Sequence, residues 1–257
     1  SAASDVYKRQ QEALDLALMS FYVAEHKDVA TPFMANLDGF TLTHTYEVVD
    51  VPDAKQADEF LPPYETDNKI SFDDPKDLGF SAGPDTNTEF KYKEHLGILN
   101  ARRVIKESED KFFKIFNRKY SGLIETYKTE DADFVIVTLG TISGLVKEVV
   151  DDLRDKGQKV GLLRIRYLRP FPNEEIVEAL KNVKAIGVLE KDISFGNEGT
   201  VYTNVNSALH KAKLDVISSN YIAGLGGRNI EKHQIEDIFT RLQSLNHEIV
   251  FVGLKEE

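Results

Sequence analysis

Phe134-Val135-Ile136-Val137-Thr138-Leu139-Gly140-Thr141-Ile142-Ser143-Gly144 decides the fold class of this chain. Its first six residues are apolar or β-branched with no polar alternation, the pattern of a strand covered on both faces. A loop bounded by Gly140 and Gly144 follows. Leu145, Val146, Val149, Val150 and Leu153 then recur at helical spacing, and Gly157 stands where that helix needs a left-handed C′ residue. Strand, tight loop and amphipathic helix make the first half of a βαβ unit, which implies a parallel neighbour.

The same alternation continues downstream. Residues 160–168 read as a second strand, 185–189 as a third ending at Glu190-Lys191, and 216–222 as a fourth. Helices are expected near 202–212 and along Ile235, Ile238, Phe239, Leu242 and Leu245. Asn173 is expected to cap a short helix whose first turn carries Glu174 and Glu175, favourable against the helix dipole. From about Tyr120 the chain is therefore α/β, with a mostly parallel sheet covered on both sides.

The upstream part is less regular. Residues 11–26 form a helical stripe through Ala13, Leu14, Ala17, Leu18 and Phe21. Residues 31–37 read as a buried strand, Asp38-Gly39 as a turn, and 40–51 as a loosely alternating strand. Prolines and glycines break any period between 53 and 87, so an extended connector is expected there. A long helix from about 92 to 116 should bury Leu96, Leu99, Phe112, Phe113 and Phe116. Residues 1–10 read as a non-native scar, and the rest as the C-terminal part of a longer protein.

Composition narrows the chemistry. The 257 residues carry a net charge of −11, which repels nucleic acid and acidic membrane surfaces. The absence of cysteine excludes disulfides, thiolate nucleophiles and iron–sulfur ligation by this chain. No apolar run is long enough to cross a bilayer. A cytoplasmic location is expected.

Four places could carry function. Arg164, Arg166 and Arg169 lie at the end of a strand and before Pro170 and Pro172, where a partner or an acidic ligand could meet guanidinium groups. Ion pairing with nearby acids serves equally well. The loop holding Thr141 and Ser143 could present N–H groups to an anion, although plain capping by either hydroxyl is favoured. Gly224-Leu225-Gly226-Gly227-Arg228 could bring backbone or Arg228 to a ligand, or only turn the chain. His44 between Thr43 and Thr45 could titrate, but a structural role is favoured, and Glu190 reads as an ion-pair partner of Lys191 ahead of a pocket acid. No complete triad or metal-spaced cluster stands out.

Several segments together resemble the α subunit of the multi-subunit pyruvate:ferredoxin oxidoreductases. They are Asn36-Leu37-Asp38-Gly39-Phe40-Thr41-Leu42-Thr43-His44-Thr45, Thr138-Leu139-Gly140-Thr141, Arg166-Tyr167-Leu168-Arg169-Pro170-Phe171-Pro172, Val188-Leu189-Glu190-Lys191 and the run from Asn220 to Arg228. The resemblance covers nearly everything after Gln10. It implies residues 11–53 as the C-terminal edge of a pyrimidine-side thiamine diphosphate domain, 54–119 as a connector and long helix, and 120–257 as a three-layer transketolase C-terminal-like domain. It also implies an enzyme that converts a 2-oxoacid, most readily pyruvate, with coenzyme A and oxidised ferredoxin to the acyl-CoA, carbon dioxide and reduced ferredoxin. Thiamine diphosphate and magnesium would belong to the complete enzyme, and iron–sulfur clusters to partner subunits: a thiamine-binding β, a γ and a ferredoxin-like δ subunit. The thiamine-contacting residues of the family lie upstream of Gln11, so no catalytic residue carries over and this chain alone is expected to be inactive. The rival readings are the β subunit of a 2-oxoacid dehydrogenase and a non-catalytic assembly module.

Overall fold

A computed structural model describes residues 2–39 and 41–255. Before the first strand lie α1 (Ala2–Glu25), α2 (Thr41–His44), α3 (Ala54–Phe60) and α4 (Pro84–Phe116). Then come β1 (Ile124–Tyr127), β2 (Phe134–Leu139), α5 (Ile142–Asp155), β3 (Val160–Ile165), α6 (Asn173–Leu180) and β4 (Ala185–Glu190). The described chain ends with α7 (Thr200–Lys211), β5 (Ile217–Ile222), a 3₁₀ turn at Leu225–Gly227, α8 (Lys232–Leu242) and β6 (Ile249–Phe251). Contacts divide it into two compact units, one of residues 1–9, 37–46 and 123–257, the other of residues 10–36 and 47–122.

The first unit is a six-stranded sheet in the order β1-β3-β2-β4-β5-β6. Edge strand β1 is antiparallel to β3, and every other neighbouring pair is parallel. Side-chain alternation assigns the faces. Val135, Leu163, Ile186 and Val188 pack with Ile176 of α6 and with Val201 and Val205 of α7. On the opposite face, Ile136, Leu162 and Leu189 pack with Val146 and Val149 of α5 and with Ile235 and Phe239 of α8. These are three layers, α/β with a mostly parallel sheet. The steps from β4 to β5 and from β5 to β6 move the same way along the sheet, yet α7 and α8 cover opposite faces. The two crossovers therefore have opposite hands, and the β5–α8–β6 step departs from the usual right-handed rule. It gives each face two helices.

Strands β2 to β5 lie where the apolar runs place them. The short β1 and β6 escape the sequence reading: β1 is only Ile124-Glu125-Thr126-Tyr127, and β6 is an apolar run of only three strand residues. β3 ends at Ile165 and not at 168, because the N–H groups of Arg166 and Tyr167 turn to the carbonyl of Leu123. Pro172 occupies the cap position of α6, so Asn173 is its first helical residue and no side chain caps it.

The second unit differs more from expectation. Residues 31–37 form no strand, and Met34 and Leu37 are exposed. In place of a strand over 40–51 stands the single turn α2 followed by irregular chain, Phe40 itself lying outside the described residues. The connector contains α3, whose capping box pairs Asp53 with Gln56. α4 begins at Pro84, where a missing N–H costs nothing, and so it is longer than the apolar stripe alone suggests. Its buried side runs through Gly97, Ala101, Val104, Ile105, Ser108 and Phe112; Leu96, Leu99 and Phe113 are exposed. A Cβ at Gly97 would stand 2.4 Å from the Val29 carbonyl oxygen, so this helix face must be bare for the chain at 29–31 to pass. α1 is continuous from Ala2, through residues set aside in the sequence as a scar; Ser1 lies outside the described residues.

Met19, Phe60, Phe112 and Phe116 form the core of this unit, with the Phe60 and Phe112 rings edge-on at 5.2 Å. Beside it the fully buried Asp15 accepts from Arg118 Nε at 2.7 Å, Arg118 Nη2 at 2.9 Å and the Tyr120 hydroxyl at 2.6 Å. Burial and the bond to Asp15 hold the Tyr120 hydroxyl far above the ordinary tyrosine range. Removing Asp15 strands a largely covered guanidinium whose one remaining carboxylate partner among the described residues is Asp50 at 2.6 Å. Asp15→Ala should therefore lose about 3 kcal/mol in denaturant unfolding of the full chain, the low end for breaking a buried pair.

Candidate functional site

Winding reverses at β2. From β2 the chain passes through α5 to β3 on one side, while β4 lies on the other side, and α5 and α7 leave on opposite faces. The carboxyl ends of β2 and β4 thus part, which is where open α/β sheets hold a ligand crevice. A cavity of about 210 Å³ lies there, lined by Leu139, Gly140, Leu189, Glu190, Lys191 and Ala223 among others. Asp38 lines it too, brought from a part of the chain more than ninety residues before β2.

Asp38 occupies the anion position of the β2–α5 loop. The Thr141 N–H donates to Asp38 Oδ2 at 2.9 Å, and the Thr141 hydroxyl donates to the same oxygen. Lys191 Nζ reaches Asp38 Oδ1 at 3.3 Å. Ser143 turns its hydroxyl back to the Gly140 carbonyl at 2.8 Å. The loop therefore receives an anion, as its geometry suggests, but the anion belongs to the chain. Neither Thr141 nor Ser143 makes a side-chain cap.

Glu190 is buried and does not pair with its neighbour Lys191. Its Oε2 accepts from the Val201 N–H at 2.8 Å, and its Oε1 from the Tyr202 N–H at 3.1 Å and from Asn220 Nδ2 at 2.8 Å. The first two donors are the N-terminal turn of α7. Burial pushes the carboxyl up, while these three donors pull against it. Asn220 completes the knot by accepting from the Gly199 N–H at 2.8 Å.

The arginines disperse. Arg164 donates to Glu125 Oε2 at 3.1 Å, and Lys147 donates to Glu125 Oε1 at 2.5 Å. Burial alone would raise the Glu125 carboxyl, but Lys147 and Arg164 win and hold it below the usual range. Arg166 stacks on the Tyr167 ring, and Arg169 is exposed, with Nη1 on the Leu168 carbonyl and its guanidinium over Phe171. Arg228 donates to the Gly253 carbonyl at 2.6 Å. None of the four lines the cavity. His44 is exposed, its Nδ1 2.8 Å from the Thr43 hydroxyl. Sequence reading missed Asp38, Gly199 and Asn220 as site residues: their partners are 103, 9 and 30 positions away, and only Asp38 and Asn220 stood in noted segments.

Two family models match the chain in order. The thiamine diphosphate-binding domain of pyruvate flavodoxin/ferredoxin oxidoreductase matches residues 6–110, and pyruvate:ferredoxin oxidoreductase core domain II matches residues 132–235. Pyruvate synthase subunit PorA of Methanothermobacter thermautotrophicus is 40% identical over 247 residues, covering 96% of this chain and 63% of that protein. Ketoisovalerate oxidoreductase subunit VorA of Pyrococcus horikoshii is 40% identical over 232 residues, covering 90% of this chain and 58% of that protein. The chain thus spans less than two thirds of the length of these curated relatives. Among solved structures, a 2-oxoglutarate:ferredoxin oxidoreductase from Magnetococcus marinus overlaps 64% of this chain and 24% of its own at 19% identity and a TM-score of 0.39.

Glycine at 199 is required by the buried carboxylate. A Cβ there would come 2.0 Å from Glu190 Oε1, which its donors pin in place. Gly199→Ala should cost about 1–3 kcal/mol by overpacking. Combined with Glu190→Ala, denaturant unfolding of the four-member set should show non-additivity, the double variant being less destabilised than the sum of the singles.

Proposed function

The chain belongs to the pyruvate:ferredoxin oxidoreductase family, and on that footing we propose that it is part of the α-type subunit of a 2-oxoacid:ferredoxin oxidoreductase. The supporting observation is the pair of family models, which fall in sequence on the two regions of the chain. The reaction we assign to the complete enzyme joins the acyl part of pyruvate to coenzyme A, releases carbon dioxide and passes the electrons to ferredoxin. Relatives named for pyruvate and for ketoisovalerate match at the same 40% identity, so a branched-chain 2-oxoacid is the second substrate to test.

Thiamine diphosphate would supply the carbanion chemistry when bound in the complete enzyme. The β2–β4 cleft does not fit it. Asp38, Glu190 and Asp192 oppose a diphosphate there, and Lys191 is already neutralised by Asp38. Among the described residues no group of three His, Asp or Glu is placed to hold a magnesium ion. We therefore assign thiamine diphosphate and magnesium to other parts of the enzyme. With no cysteine here, thiolate-held iron–sulfur clusters fall to partner subunits of β, γ and ferredoxin-like δ type. No helix among the described residues is long and apolar enough to cross a membrane. A cytoplasmic location is our assignment for the enzyme as a whole.

The part left to this chain is assembly. Arg166, Arg169 and Arg228 are the groups we assign to subunit contact, Arg169 and Arg228 being exposed and all three outside the cleft. Arg164 is an internal partner of Glu125 and is not among them.

A complex purified through a tag on this chain from its native host should reduce viologen dye in the presence of pyruvate and coenzyme A. The isolated chain should show no turnover with added thiamine diphosphate. Turnover by the isolated chain, or a complex inert to pyruvate and to branched-chain 2-oxoacids alike, overturns the reading. Arg169→Ala should weaken subunit association about tenfold in sedimentation, roughly 1.4 kcal/mol. Its unfolding free energy should shift by less than about 0.5 kcal/mol, as at an ordinary surface site.

A further inference from the structure

Helix α4 carries apolar residues on two faces. One face runs through Gly97, Ala101, Val104, Ile105 and Phe112 and is buried. The other, at Tyr92, Leu96 and Leu99, is exposed. The spacing i, i+4, i+7 puts these three in one stripe, on the side of the helix away from Gly97. Residues 84–96 are exposed throughout, although helices draw most of their stability from packing an apolar face. The connector before them is bare in the same way. Ile70 is 78% exposed, Phe72 fully, and Leu78 and Phe80 by half. Phe80 ties the connector to the helix, its ring centroid 5.4 Å from that of Phe90. Single exposed apolar side chains are ordinary, but a run of them along one segment marks an interaction surface. The segment is also acidic. From Glu65 to Glu89 it carries seven carboxylates and two lysines, and Lys76 lies 3.2 Å from Asp74.

We propose that residues 64–99 are a docking segment for another subunit of the enzyme. Tyr92, Leu96 and Leu99 seat in an apolar groove of that subunit, and the acidic connector lies along a rim of lysine and arginine. The stripe has the anchor spacing of a helix read by a groove. Charge selects the occupant: a second copy of this chain would supply the same carboxylates and not the cations they call for. The proposal rests on the reading that this chain is one subunit of a larger enzyme.

The complex purified through a tag on this chain is the material for the test. Tyr92→Glu and Phe72→Glu alter exposed side chains, so each full-length variant should unfold at an unchanged denaturant midpoint. Each should weaken subunit association about tenfold in sedimentation, as loss of an aromatic anchor does. Phe195→Glu, at a phenylalanine 94% exposed in the sheet-bearing unit, should leave association within about twofold. If Tyr92→Glu lowers the unfolding midpoint, Phe72→Glu, outside any helix, carries the test. In the native complex, carbodiimide should couple carboxylates of residues 65–89 to lysines of a different polypeptide. Coupling only to lysines of this polypeptide, its own or those of a second copy, overturns the proposal. Association of the Tyr92 and Phe72 variants no weaker than that of the Phe195 variant overturns it too. A complex that turns over pyruvate yet holds these variants as tightly as the parent sinks the docking segment alone. An inert complex that loosens with them sinks the assigned reaction and supports the docking segment.

Discussion

The lobe depends on one buried carboxylate at the end of a central strand. Glu190 closes β4 inside the molecule, where a charge is costly unless its oxygens are satisfied. Two of its three donors are orphan N–H groups of α7 and the third is Asn220 of β5. A single side chain thus fixes the start of a helix against two strands. The polar side chains on that face of β5 follow from the same arrangement. Ser218 and Asn220 point to α7, Ser218 meeting Asn206 and Asn220 meeting Glu190, while Tyr221 points to the opposite core. Gly199 is bare because this carboxylate fills the place of a side chain.

The cleft exists because that helix leaves on one face and α5 on the other. Its wall is set by the Glu190 knot on the β4 side and by the Asp38 contact on the β2 side. These differ in kind. Glu190 is enclosed, and two of its three donors are backbone N–H groups of α7; Asp38 is partly solvated and, beside the Thr141 N–H, reaches a flexible lysine.

What the sequence disclosed follows the range of the forces involved. Strands β2 to β5 and helices α4, α5, α7 and α8 are written in local apolar spacing, so their existence is legible though their ends are not. The resemblance carried further, because motif order survives where periodicity is faint. Helix α3 was hidden behind proline and glycine, although Asp53 and Gln56 spelled its capping box. The 31–37 run looked buried because it is apolar, but exposed apolar side chains are common and apolarity alone does not imply burial. The site was less legible still. Asp38 looked like a turn residue and Glu190 like half of a neighbouring ion pair, since each finds its partner only through tertiary structure.

Arginine dispersal shows how the same stretch serves two tasks. Arg164 is within β3, where alternation and the register with β1 set it beside Glu125. After Ile165 the backbone turns to Leu123, the strand period ends, and Arg166 and Arg169 are no longer constrained to one face. The ring of Tyr167 supports one guanidinium and that of Phe171 the other. At Arg169 such stacking orders a cation without neutralising it, whereas a carboxylate partner would do both. Charge is thus spent inside the lobe at Arg164 and preserved at Arg169, whose hydrogen-bond partners among the described residues, the Leu168 carbonyl and Asn204, include no carboxylate. In a chain of net charge −11, Arg169 is the cation we propose for contact with an acidic subunit surface.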